Sequence, residues 1–376
     1  MAEIRSPQHT DVLSPVARWG AALLLLATVA LTDLVTSDRL HVLPVMAAVP
    51  VLAGALNGVA VTSVLAGAAM ATTVLVQLVE GRWGTPGGDV TILTLAVVSM
   101  AGLLACSVRC RRERQLRRAR SVADAARRAA LRPLPRRMGS VNLAATYVPA
   151  VSDQREGHSE GGDFYEALHT PFGIRVLVGD IRGRGLSAVA ASAALLGSFR
   201  EAAYEERALA DVCGRLEASA ARQLHAPQEE PFSERYATAV LLELPHGEPV
   251  VRMIHCGHPE PLTLRGGTVR VHAPTPPGAP IGLAHLVGAE PVTQTIAFRP
   301  GDRLLLYTNG FVEARDRGGR YHDLGAHARD RSAQSLQDMV RGLRGDLLRH
   351  TGGRLTDDAA LVVLERCGRP DAAQRG

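Results

Sequence analysis

Residues 174–188, IRVLVGDIRGRGLSA, decide the fold of this chain. The aliphatic run 174–178 has the length and β-branched content of a buried strand. It stops at Gly179-Asp180, and the small-residue segment 186–204 then has helical length and spacing. A carboxylate at a strand end, with Gly183 and Gly185 just beyond, leaves the backbone open to a ligand and aims its side chain at the sheet edge. The pattern recurs on both sides of this stretch. Runs at 142–148, 238–244, 250–255, 303–308 and 360–364 read as strands, and 209–224 and 334–348 as helices. Arg265-Gly266-Gly267-Thr268 is a hairpin signal. Consecutive strands between grouped helices predict α+β layers, not a doubly wound parallel sheet.

Acidic residues recur where these strands begin or end. Gly161-Gly162-Asp163 precedes Phe164-Tyr165, Thr308-Asn309-Gly310 closes the 303–308 strand, and Asp357-Asp358 opens the last one. Each alone is ordinary turn or cap chemistry. Four such positions, Asp180 included, offer converging oxygens of the kind that suits a hard divalent cation, Mg2+ or Mn2+.

The N-terminal part obeys different rules. The chain has 376 residues, 46% hydrophobic and 4% aromatic, and the apolar excess sits in the first 108. That length holds one sizeable core plus something else. Four apolar runs, 19–35, 40–56, 59–79 and 90–108, each approach the ~20 residues a helix needs to cross a bilayer. Asn57-Gly58 reads as a tight turn, and 80–89, with Gly81, Pro86, Gly87 and Gly88, as an exposed loop. Residues 19–108 are therefore expected to form four transmembrane helices. Intramembrane charge pairs and broken-helix signals, which would argue for a transporter, are missing from these runs.

Charge sets the orientation. Between Arg109 and Arg137 twelve arginines stand against Glu113 and Asp124, a local +10 in a chain whose formal total is +5. Positive flanks stay cytoplasmic, so residues 1–18 and everything after 108 are expected in the cytosol of a multi-pass protein of the cytoplasmic membrane. The basic charge is one stretch, not a nucleic-acid-binding surface. Residues 109–138 read as a basic helical linker, ended by Pro133 and Pro135. Its arginines can lie on anionic membrane lipid, at about 1 kcal/mol each. The bland reading is a topology signal; the sharper one is a lever or homodimer contact. Residues 139–367 form the catalytic-domain candidate, and 368–376 a disordered tail.

Two further counts exclude function classes. All 42 basic residues are Arg; P-loop NTPases, protein kinases and pyridoxal-phosphate enzymes each depend on a Lys amine and are excluded in their usual form. Five Cys without framework spacing are expected to be reduced thiols, with Cys213, Cys256 and Cys367 read as buried small hydrophobes.

GGDFYEA (161–167), GDIRGRGLSA (179–188), ATAVLLEL (237–244), CGHPEPL (256–262), PGDRLLLYTNGFVEARD (300–316) and DDAALVVL (357–364) resemble, in order, the motifs of the metal-dependent type 2C protein phosphatases. The resemblance covers about 132–366 and is nearest to the branch of the sporulation phosphatase E and the sigma-factor regulatory phosphatases. It implies an α-β-β-α four-layer sandwich behind the all-α membrane region, and two Mn2+ or Mg2+ ions at one edge. It further implies that Asp163 binds the second metal and that Asp180 bridges both, with the Ile181 carbonyl helping. Asn309 and Asp357 occupy first-metal positions, and Asp358 supports them. Catalysis then runs through Asp163, Asp180 and Asp357, whose cations activate a water for in-line attack on a phosphoryl group. Arg182 and Arg184 are candidates for phosphate contact. The implied substrate is a phosphorylated protein, an anti-sigma-factor antagonist.

One residue departs from the family pattern. Asn309 stands where the motif has Asp, so three carboxylates face two dications. Weaker binding of the first metal is expected, and a non-catalytic phosphoprotein-binding regulator is the alternative reading. His255 and His258 lack a zinc partner set and read as structural. Residues 278–282, among Pro276, Pro277 and Pro280, read as a mobile loop over the site.

Overall fold

Alternation of aliphatic residues along the strands builds two sheets with a shared inner layer. The computed structural model describes residues 24, 27–28, 31–32, 43–130, 132–150, 162–183, 185–224 and 236–368. It divides into two units, Met1–Ala119 and Arg120–Gly376.

In the first unit a 3-10 turn, Leu43–Ala47, leads into α1 (Ala48–Leu56), followed by α2 (Val59–Val79) and α3 (Pro86–Ala130). The expected turn is present: Asn57 ends α1 in an extended conformation, and Gly58 O accepts from Thr62 N–H at 3.0 Å. Two helices, Val59–Val79 and Pro86–Gln115, are long and apolar enough to cross a membrane. The span expected over 40–56 is instead a turn and a nine-residue helix. Together these cover roughly 20 Å at 1.5 Å per residue, short of the ~30 Å of hydrocarbon. The run 19–35 lies largely outside the described residues, as do 1–18. Residues 86–89, expected in a loop, form the first turn of α3. Thr85 Oγ1 accepts from the Gly88 N–H at 3.2 Å, and Pro86 at the helix start strands no donor. The helix continues unbroken through the basic run to Ala130.

The second unit holds eleven described strands. One sheet has six, in the order β1-β2-β11-β10-β7-β8, and the other five, β3-β4-β5-β6-β9. Their ranges are β1 Arg137–Met138, β2 Val141–Val148, β3 Phe164–Thr170, β4 Gly173–Ile181, β5 Ala237–Pro245, β6 Val250–Cys256, β7 Leu262–Arg265, β8 Thr268–Val271, β9 Gln294–Ala297, β10 Arg303–Tyr307 and β11 Ala359–Arg366. Helices α4 (Gly185–Glu205) and α5 (Leu209–Leu224) follow β4. The short α6 (Ala284–Val287) precedes β9, and α7 (Asn309–Val312), α8 (Leu324–Asp330) and α9 (Leu336–His350) separate β10 from β11. Residues 137–138, read from sequence as linker, pair with β2.

Period two explains the layers. Along β10, Leu304 and Leu306 point into a core shared with Val176, Val178, Val240 and Leu242 of the other sheet. Leu305 and Tyr307 point the other way, onto Met339, Leu343 and Leu347 of α9. On β4 and β5, Leu177 and Leu241 meet Leu195, Phe199 and Leu216 of α4 and α5. Strands covered on both faces are apolar on both, so they read as continuous hydrophobic runs. The order helices, sheet, sheet, helices follows. The loop 278–282 differs from expectation. Ile281 exchanges two backbone hydrogen bonds with Ala237, at 3.0 and 2.8 Å. A Cβ on Gly278 would sit 1.7 Å from His255 O, so the segment is stitched to β5 and pressed on β6.

Candidate functional site

The same alternation carries acids to one place. Asp180 has the parity of Val176 and Val178, Thr308 that of Leu304 and Leu306, and Asp163 that of Tyr165 and Ala167, all of which face the inter-sheet core. Asp358 continues the parity of Val362 and Leu364. Their side chains therefore come to the same end of the inner layer. Thr308 Oγ1 donates to Asp163 Oδ2 at 2.7 Å and so bonds one sheet to the other. The same oxygen accepts from Ala360 N–H at 2.9 Å.

Two glycines permit the approach. A Cβ on Gly162 would lie 2.2 Å from Ile181 O and 2.8 Å from Asp180 Oδ1, and one on Gly310 would lie 1.9 Å from Asp358 O. Only a residue without a side chain lets the Asp163 and Asn309 segments lie against Asp180 and Asp358. Gly162 O also accepts from Ile181 N–H at 3.2 Å.

The two neighbouring acids of the last strand have different surroundings. Asp358 is buried; it accepts from Ala150 N–H at 2.7 Å and from the Tyr147 hydroxyl. Asp357 is half-buried. Its Oδ1 takes the Asp358 N–H at 2.8 Å, and its Oδ2 lies 3.4 Å from the Asn309 amide nitrogen. That contact turns Asn309 Oδ1 away, buried and without a partner. A cavity of about 360 Å3 opens against Asn309 and Asp357 and is lined farther out by Glu313, Arg315 and Arg354.

Electrostatics shows what the cluster lacks. Burial, then the charge of Asp180, holds the Asp163 carboxyl well above its usual range, against the pull of the Thr308 hydroxyl. Burial, then Asp357 and Asp358, pushes Asp180 up to about 7, opposed by Arg182 and the Ile181 N–H. Carboxylates raise one another when no cation compensates them. This charge deficit and the orphaned Asn309 oxygen fit hard, oxygen-seeking divalent cations. Among the described residues no three His, Cys, Asp or Glu side chains already stand at ligand spacing. The acids are within electrostatic reach of one another but not drawn in around a common point.

An acid whose folded pKa exceeds its unfolded value binds more protons folded, so its contribution to stability falls as pH rises through that interval. For Asp180 the interval runs from the usual carboxylate value to about 7. Without divalent cations, the thermal midpoint should drop between pH 5 and 7.5, and Mn2+ should raise it more at 7.5 than at 5. Differential scanning fluorimetry reads this directly; equal Mn2+ shifts at both pH values would contradict it.

Arg182 is exposed, 5.9 Å from the Tyr236 ring centre, and near enough to Asp180 to lower its pKa. Arg184 lies outside the described residues. His258 is buried, its ring pushed down to about 3 by burial, with Nδ1 3.0 Å from Thr238 Oγ1. His255 Nε2 lies 3.3 Å from Met253 Sδ. Sequence reading missed Thr308 and Tyr147. The parity of Thr308 with Leu304 and Leu306 was a usable signal; nothing local marked Tyr147.

The sequence profile described as stage II sporulation protein E (SpoIIE) matches residues 170–367, just over half of the chain and beginning after Asp163. No curated protein matches. The SiaA-PP2C domain of Pseudomonas aeruginosa superposes with a TM-score of 0.54 at 19% identity, over 68% of this chain and 98% of that domain. The PP2C phosphatase domain with a regulatory fragment of SpoIIE from Bacillus subtilis gives 0.49 at 15%, over 61% of this chain and 64% of that one. The RsbU and RsbW domains of a Mycobacterium tuberculosis protein give 0.48 at 22%, over 60% of each. The chain thus spans less than two thirds of the length of these last two. At these identities the likeness concerns the fold alone.

Proposed function

The chain belongs to the stage II sporulation protein E (SpoIIE) family and carries a PP2C-type phosphatase domain, and from that premise we propose that it is a membrane-anchored, divalent-metal-dependent phosphoserine/phosphothreonine protein phosphatase. The observation that carries the proposal is the mutual electrostatic reach of Asp163, Asp180 and Asp357, together with a buried, unpartnered oxygen on Asn309.

Asp163, Asp180, the Ile181 carbonyl, Asn309 and Asp357 would hold two Mn2+ or Mg2+ ions. When bound, such a pair lowers the pKa of a water toward neutrality and offsets phosphoryl charge. Thr308 orients Asp163 by donating to Oδ2. Asp358, its side chain fixed by Tyr147 and Ala150, donates its backbone N–H to the Asp357 carboxylate and so helps to orient it. Arg182, exposed beside Asp180, can meet a phosphate dianion. The cavity lined by Arg315 and Arg354 leaves room for the protein segment around the phosphorylated residue. The substrate proposed is a phosphorylated anti-sigma-factor antagonist.

Membrane anchoring rests on α2 and the first 30 residues of α3. Only 33% and 22% of their most apolar windows are buried within the protein, and Leu75, Leu78, Val97 and Leu104 face outward. Outward-facing apolar surface of this kind suits contact with lipid. The basic run that follows supports a cytoplasmic position for the phosphatase domain, since positive flanks stay on that side.

Asn309 supplies the test. An amide oxygen ligates without charge, so the site presents three carboxylates to two dications. Asn309→Asp should lower the Mn2+ concentration for half-maximal p-nitrophenyl phosphate hydrolysis by about 10-fold, the ~1.4 kcal/mol worth of one added charge interaction. No turnover of the unmodified protein at saturating Mn2+, with activity appearing in Asn309→Asp, would assign it instead as a non-catalytic phosphoprotein-binding regulator.

A further inference from the structure

Away from the acidic cluster, two thiols from different elements meet in the core. Cys213 lies on α5 and Cys256 ends β6, and their sulfurs are 3.6 Å apart. Both are buried, 8% and 3% exposed, yet both line a cavity of about 100 Å3 bounded also by Glu217, Ile281 and Pro291. A single water needs roughly 10–15 Å3 of such space. The cavity therefore admits a small peroxide and excludes a tripeptide thiol. We propose that Cys213 and Cys256 form a dithiol site that hydroperoxides oxidise to a disulfide.

The chemistry balances without a further reactant. The Cys213 thiolate attacks one peroxide oxygen; the O–O bond breaks, hydroxide or alkoxide leaves with a proton as water or alcohol, and Cys213 becomes a sulfenic acid. Cys256 sulfur then attacks that sulfur, the S–O bond breaks, and the departing hydroxide takes the Cys256 proton. Two thiols lose two electrons, and hydrogen peroxide becomes two waters or an organic hydroperoxide an alcohol and one water. The order of attack follows from the hydrogen bond between the sulfurs. It favours the Cys213 thiolate, whereas Cys256 keeps its proton, and the thiolate is the nucleophile. Closing to the ~2.05 Å of a disulfide asks the sulfurs to approach by about 1.5 Å. Gly214 and Gly257 flank the pair, and Gly257 already holds φ at +67°.

This site does not depend on the phosphatase reading. Full-length protein in lipid nanodiscs is treated with hydrogen peroxide, alkylated after denaturation, and mapped by peptide mass spectrometry. The expected product is a Cys213–Cys256 linked peptide that dithiothreitol removes, formed equally in Asp180→Asn. In Cys256→Ser, dimedone should label Cys213. Recovery of both thiols free after the partly exposed Cys110 and Cys367 have reacted overturns the proposal. So does separate oxidation of the two to sulfinic acids without a link.

Discussion

Asp180→Asn is expected to lower Mn2+-dependent phosphomonoester hydrolysis by at least about 10^3-fold, some 4 kcal/mol of transition-state stabilisation. Of the acids in the cluster, Asp180 is the one proposed to bridge the two cations. It sits at the end of β4, opposite Thr238, with Asp357 and Asp358 as its largest charge neighbours. An amide of the same shape keeps the packing and removes the charge that would join two cations. The variant should also be more stable than the unmodified protein at pH 7.5 without metal, because the carboxylate is strained by burial and by its neighbours there. Its thermal midpoint should change less between pH 5 and 7.5, and Mn2+ should no longer raise it. Loss of activity together with loss of stability would mean a structural role for Asp180, and the metal account would then fail.

Arg175→Met is expected to destabilise residues 132–376 by about 3 kcal/mol, at the low end of what breaking a buried ion pair costs. Arg175 has no exposed surface. Its Nε and one terminal nitrogen reach Glu243 Oε2 at 3.0 and 2.6 Å. The guanidinium also donates to Ala203 O, Glu206 O and Arg207 O, at 2.9, 2.6 and 2.7 Å. One side chain thus closes the C-terminal end of α4, whose last carbonyls have no helical partner, and ties it to β4 and β5. Removal leaves those acceptors buried and Glu243 dependent on Arg252, 2.9 Å from Oε1. The paired change Arg175→Met with Glu243→Leu should recover part of the loss, since two apolar groups leave no charge stranded. Urea denaturation followed by circular dichroism measures both. A midpoint unmoved in the single variant would refute this assignment.

Much of the fold was legible because it is written in short-range patterns. The run 174–178 lengthens to Gly173–Ile181, 238–244 to Ala237–Pro245, and 360–364 to Ala359–Arg366. The Gly-Gly turn joins β7 to β8 as its type demands. β3 was not read as a strand. FYEALHT carries Glu166 on a face buried against α4, and that acid is tolerated only because Arg200 bonds it. Asp180 and Asp163 were visible as strand-end acids, yet the partners that define their chemistry were not. Thr308 is 145 residues from Asp163, and Tyr147 is 211 from Asp358.

By itself the sequence determined most of the strand and helix segments, which stretch is apolar enough for lipid, and which acids stand at strand ends. These depend on neighbours three or four positions away, so they survive in a linear reading. Tertiary structure alone decided which of two adjacent aspartates is pinned by a tyrosine, that Asn309 keeps an unpartnered oxygen, and that two distant thiols touch. Each of those depends on sheet order and register, where a shift of one residue would turn every side chain to the opposite face.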